Sequence, residues 1–149
     1  MSLITFVVLV IAFFQSFLKF PICAANHVSF MILASIIYSF TETLVIFFFV
    51  GTGVSVKEYT IAHKLEKTYH QRSIAIKRKV YPPLLLNMLF MIILFVLVGA
   101  VDTYRVPPFI YYILFIGCII DYVRVKLIEH ECFKSNTAVI LEMSGIKLA

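Results

Sequence analysis

Charge is scarcest where a soluble fold would need it. Only 14% of the 149 residues are charged, while 62% are hydrophobic and 15% aromatic, and the mean hydropathy is +1.00. Leu3 to Leu18 contains no charged residue, and Asn26 to Val56 contains only Glu42. A water-facing surface cannot be built from such windows, which excludes a soluble globular domain and assigns them to lipid. Cysteine is also sparse: Cys23, Cys118 and Cys132 are far apart and form no CxxC pair, which excludes a disulfide framework. Cys118 lies in an apolar run, where a thiol acts as a small hydrophobe. No nucleophile elbow, Walker loop, dinucleotide glycine pattern or SxxK arrangement occurs, and Gly51-Thr52-Gly53 is too short to cradle a phosphate. Soluble-type catalysis therefore has no visible machinery, and no cofactor is specified.

What is present predicts an all-α, polytopic transmembrane helical bundle forming a single integral membrane domain. Each crossing needs about 20 apolar residues, which leaves room for about four. The expected spans are 3–18, 26–50, 84–101 and 108–124. Between the second and third lies a basic connection, 53–81, in which Lys57, Lys64, Lys67, Arg72, Lys77, Arg78 and Lys79 oppose only Glu58 and Glu66. That surplus equals the formal net charge of +5 for the whole chain. Basic loops stay on the cytoplasmic side or its organellar equivalent, so this connection should face inward, and by parity both termini should too. Arg124, Lys126, Lys134 and Lys147 in the tail, against Arg105 and Lys19 in the outer connections, indicate the same topology.

Pro82-Pro83 and Pro107-Pro108 are expected to open the third and fourth helices, because a first turn tolerates proline. Asn26 is the expected N-cap of the second. A kink or helix end is expected at Gly51-Thr52-Gly53. The first run also admits a signal-peptide reading, with Cys23-Ala24-Ala25 as the cleavage region, but the missing basic n-region favours a retained helix. Val54 to Val80 reads as a helix or helix pair, and the tail 125–149 as an amphipathic segment or an extension of the fourth helix that stops near Gly145. The basic residues accompany no nucleic-acid module, so nucleic acid is not an expected partner.

Among polar residues Glu42 is the most informative, since a carboxylate within a membrane helix costs a few kcal/mol and needs a partner. Ser35, Tyr38, Ser39 and Glu42 follow i, i+3, i+4, i+7, predicting one inward polar stripe. The topology places Glu42, Asn87 and Asp121 at similar depth with Arg124 one turn below Asp121, a candidate intramembrane cluster of Glu42, Tyr38, Asn87, Asp121 and Arg124. It reads either as interhelical glue, through an Asn87 hydrogen bond or an Arg124 ion pair, or as a proton or cation site. Below the membrane, His63, Glu66 and His70 share a helical spacing, and Glu129-His130-Glu131-Cys132 follows the fourth span. His63, Glu66, His70, His130 and Cys132 are thus candidate ligands for Zn²⁺ or iron, although the spacing matches no established signature. A membrane bis-histidine haem is disfavoured because His27 lies near the outer surface and the other three histidines lie on the inner side.

These observations predict an accessory, assembly or interaction subunit of a larger membrane complex, with the lipid bilayer and other membrane subunits or a second copy as partners. The alternatives are a small proton- or cation-coupled transporter centred on Glu42, and a metal-binding or redox membrane protein using the inner histidines.

Overall fold

The computed structural model describes residues 2–20 and 26–145. They form four helices, α1 (Ser2–Leu18), α2 (His27–Ala62), α3 (Thr68–Asp102) and α4 (Pro108–Met143), with no strand among the described residues. Three of these, α2, α3 and α4, are long and apolar enough to cross a membrane, and α1 is a shorter apolar helix beside them. The caps follow the sequence. Asn26 precedes α2, and its side-chain oxygen accepts a 2.9 Å hydrogen bond from the Ser29 amide. Pro107 and Pro108 open α4, where a missing N–H costs nothing. Gly145, at φ +78°, follows the last turn in the left-handed conformation that glycine adopts most readily.

The long helices contain 36, 35 and 36 residues. At about 1.5 Å per residue each runs to roughly 54 Å, well beyond the ~30 Å of a hydrocarbon core. The excess lies at the end carrying the 63–67 turn, where α2, α3 and α4 continue together as a three-helix extension. The basic connection is therefore a helix pair formed by the ends of α2 and α3, and the tail extends α4.

Two boundary expectations are corrected. Pro82 and Pro83 do not open the third helix but lie inside α3. The carbonyls that lose N–H partners are those of Arg78 and Lys79, both exposed, where water can take the place of the missing donors. Nor does α2 end at Gly51–Gly53, since it runs unbroken to Ala62. Gly53 is buried where the Lys77 ammonium crosses α2, and a Cβ there would collide with that side chain. The glycine leaves room for the end of the Lys77 side chain and marks no helix end.

Buried positions recur in steps of four and three. On α4 they are Tyr111, Phe115, Cys118, Tyr122, Val125, Glu129, Cys132, Asn136 and Val139. On α3 the same rhythm runs through Val80, Leu84, Asn87, Met91, Leu94 and Val98. A seven-residue repeat is the signature of helices packed with left-handed supercoil. Towards the 103–107 turn, all four helices enclose a core that includes Leu9, Ala12, Ala34, Met91, Leu94 and Phe115. Towards the extension, only α2, α3 and α4 supply the second core, around Phe49, Val80, Leu84, Val125 and Cys132.

The path is up-down-up-down. The start of α1 lies against α4, with Tyr122 donating to the Ser2 carbonyl at 3.1 Å, and the end of α4 lies against α3 through Arg72 and Glu142. The start of α1, the 63–67 turn and the end of α4 are thus directed towards one end of the bundle. At the other end His27 Nε2 and Asp102 Oδ1 meet at 3.2 Å. Leu9 and Ala12 make α1 a packed member of the bundle. The region 21–25, including Cys23-Ala24-Ala25, and Lys147 lie outside the described residues.

Candidate functional site

Between the two apolar cores runs a polar layer to which every helix contributes. α1 and α2 meet at hydrogen-bonded hydroxyls, Thr5 Oγ1 and Thr41 Oγ1, 2.8 Å apart. Tyr38 of α2 donates to Asn87 Oδ1 of α3 at 2.6 Å, and Asn87 Nδ2 donates to Asp121 Oδ2 of α4 at 3.0 Å and to the Cys118 carbonyl at 3.4 Å. Asn87 thus uses both faces of its amide to tie three helices together, and a buried amide left unsatisfied would cost about 1–3 kcal/mol.

One turn further along, Lys126 reaches back into the bundle. Its ammonium lies 2.7 Å from Glu42 Oε1, 2.9 Å from Glu42 Oε2 and 2.7 Å from Glu129 Oε2. Side-chain exposure is 15% for Lys126, 1% for Glu42 and 3% for Glu129, so this is a buried cluster and not a surface pair. The ammonium also sits 5.1 Å from the centre of the Tyr122 ring, within cation–π range. Tyr122 in turn packs against Tyr38 at 5.9 Å, placing the two parts of the layer side by side.

Of the five residues expected in an intramembrane cluster, the structure brings Tyr38, Asn87 and Asp121 into one hydrogen-bonded chain. Glu42 is buried one turn away, but its partner is Lys126 and neither Arg124 nor Asn87. Arg124 turns outward and only approaches Asp121, at 3.9 Å. The inward stripe divides: Tyr38 and Glu42 are buried, whereas Ser35 and Ser39 line a lateral groove of about 520 Å³ between α2 and α3, with Ile36, Met91 and Phe95. Sequence reasoning missed the inward placement of Lys126 and Glu129. The signal was the α4 repeat: Tyr122, Val125, Glu129 and Cys132 fall on one seam, and Lys126 is a turn beyond Tyr122 on its flank.

The candidate metal ligands are not gathered. Among the described residues no group of three or more histidine, cysteine, aspartate or glutamate side chains is placed to hold a metal ion. His63 caps the end of α2 with its ring stacked on Tyr59, Glu66 is exposed in the turn, and Cys132 is buried in the second apolar core. The reason is register. Lys79 pairs with Glu131 at 2.9 Å and Arg72 with Glu142 at 2.5 Å, which places His130 beside the level of Lys79. His70, nine positions before Lys79, is then roughly 14 Å away along the helix axis.

These two pairs lie in the extension, beyond the polar layer. Hydrogen bonding to Lys79 holds the Glu131 carboxyl below its ordinary range, and the same contact holds the Lys79 ammonium above its own. Comparison of the chain with protein-family models, curated proteins and solved structures returns no match. Fold and polar layer together define a class, a small helical membrane protein whose buried polar groups bond across helices.

Proposed function

We propose that the protein is an interaction subunit of a larger membrane complex, with the connection and both termini on the cytoplasmic or equivalent inner side. The observation that carries this reading is a stripe on α2, where Phe47, Val54 and Ile61 are 68%, 47% and 67% exposed at seven-residue spacing. Val54 and Ile61 belong to the extension, where α1 no longer stands beside the other helices. Lipid covers an apolar face inside the hydrocarbon, but a regular apolar stripe beyond it needs a partner helix. The sidedness rests on the Lys and Arg surplus around the 63–67 turn. The same surplus disfavours a second copy, since like-charged surfaces repel, and favours a partner of acidic character.

The test is purification of the full chain in mild detergent with mass determination of the intact assembly. A stoichiometric partner protein should accompany the wild type and the Ser55→Glu control, and be lost from Val54→Glu/Ile61→Glu. A chain that purifies alone, or an assembly indifferent to the double substitution, contradicts the reading. A homodimer broken by the double substitution reassigns the stripe to self-association. The competing reading, a proton- or cation-coupled transporter centred on Glu42, draws on the buried Glu42–Lys126 contact. Flux in proteoliposomes that is abolished by Glu42→Gln would select it.

A further inference from the structure

We propose that Glu42 and Glu129 bind one proton between them, as a carboxylic acid–carboxylate pair clasped by Lys126 where α2 faces α4 across the bundle. Both carboxyl groups contact the same ammonium, each with an oxygen 2.7 Å from it. Two carboxylates around one ammonium leave a negative charge uncompensated in a site almost closed to water, and a charge buried without a partner is strongly disfavoured.

Among the described residues no neighbouring group supplies the missing positive charge. From α2 the pair faces Tyr38, and from α4 Tyr122 and Lys126, with Cys118 and Asp121 further along. From α3 it faces Asn87, which is neutral and already committed to Tyr38 and Asp121. From α1 comes Thr5, bonded to Thr41. Arg124 lies nearby in sequence but is turned out towards Asp121.

The oxygen atoms point to the same ligand. Glu129 Oε1 is buried and has no hydrogen-bond donor, and Glu42 Oε1 has only the Lys126 ammonium, which it shares with Glu42 Oε2 and Glu129 Oε2. An acceptor-only pair of carboxylates cannot satisfy each other, whereas a single added proton makes one of them a donor and cancels the excess charge at once. A groove of about 350 Å³ between α1 and α4, lined by Ser2, Phe6, Tyr122, Lys126 and Leu127, opens beside the lysine of the cluster. When the proton leaves, two like charges face each other across the α2–α4 contact, so the site couples helix packing to pH. The proton site stands independently of the docking stripe on α2.

Infrared spectroscopy of the full chain in lipid nanodiscs, reading the C=O stretch of a protonated carboxyl in H₂O and D₂O, tests this. The wild type should show one such band at neutral pH, shifted by deuterium and lost on alkaline titration. Glu42→Gln and Glu129→Gln should each abolish it, because the remaining carboxylate is then balanced one to one by Lys126. Asp121→Asn should retain it. Absence of the band from the wild type at neutral pH overturns the proposal, as does its persistence in both glutamine variants or its loss in Asp121→Asn. A band that appears only when sodium is withdrawn also overturns it, since a metal cation would then be the occupant. The wild-type titration decides even where a variant fails to fold.

Discussion

The polar layer and the extension beyond it both set a basic residue against glutamate, but at opposite degrees of burial. In the layer, Lys126 is enclosed with Glu42 and Glu129 between two apolar cores. In the extension, Arg72–Glu142 and Lys79–Glu131 join α3 to α4 at the surface, about half or more of each side chain open to solvent. Water screens the outer pairs and little of it reaches the inner cluster, so similar distances carry very different consequences. The outer pairs set register between α3 and α4. The inner cluster makes the packing of α2 on α4 depend on a single ammonium.

The comparison breaks most readily at Lys126. Lys126→Met strands the buried charge of the Glu42–Glu129 pair, and removing one partner of a buried ion pair costs about 3–5 kcal/mol, so folding yield and thermal midpoint should fall sharply. Asn87→Leu comes next. It deprives Tyr38 and Asp121 of their shared partner at a cost of about 1–3 kcal/mol, read in the same unfolding experiment. Arg72→Met should cost no more than about 1 kcal/mol, and the cost should shrink as salt is added, whereas that of Lys126→Met should not.

The smallest effect belongs to Glu131. Its folded-state carboxyl titrates below the ordinary range because Lys79 bonds it, so the stabilisation is complete above the unfolded-state range and is lost as pH falls through the folded value. Glu131→Gln should flatten the acid limb of the stability–pH curve slightly. An acid limb equal to that of the wild type would show that the pair contributes nothing to stability.

Much of this architecture was legible in the residues. The uncharged windows mark where helices meet lipid, Asn26 and Pro107-Pro108 announce two helix starts, and Gly145 marks the final stop. Depth grouped Asn87 and Asp121 with Glu42, because their spans have predictable directions, and the helical stripe through Glu42 added Tyr38. Pro82-Pro83 misled, since the usual penalty for interior proline is reduced where the freed carbonyls face water. The partner of Glu42 was obscured by chemistry that fits two roles: Lys126 serves equally well as a charge that fixes orientation and as a cation drawn inward. Only the four-and-three rhythm of α4, running through polar Tyr122 and Glu129, indicates that the seam continues past the last apolar residue of the span. The histidines illustrate the reverse error, in which residues suited to one metal ion are separated by a register that ion pairs elsewhere in the extension impose.

A double-mutant cycle on Glu42→Gln and Lys126→Met, measured by reversible unfolding in mixed micelles, tests the buried cluster most directly. Coupling in the upper part of the range for contacting residues, about 2–3 kcal/mol, is the predicted result. Effects that add to within about 0.5 kcal/mol would contradict it, because the two side chains would then act independently and the bundle would not be held at this layer.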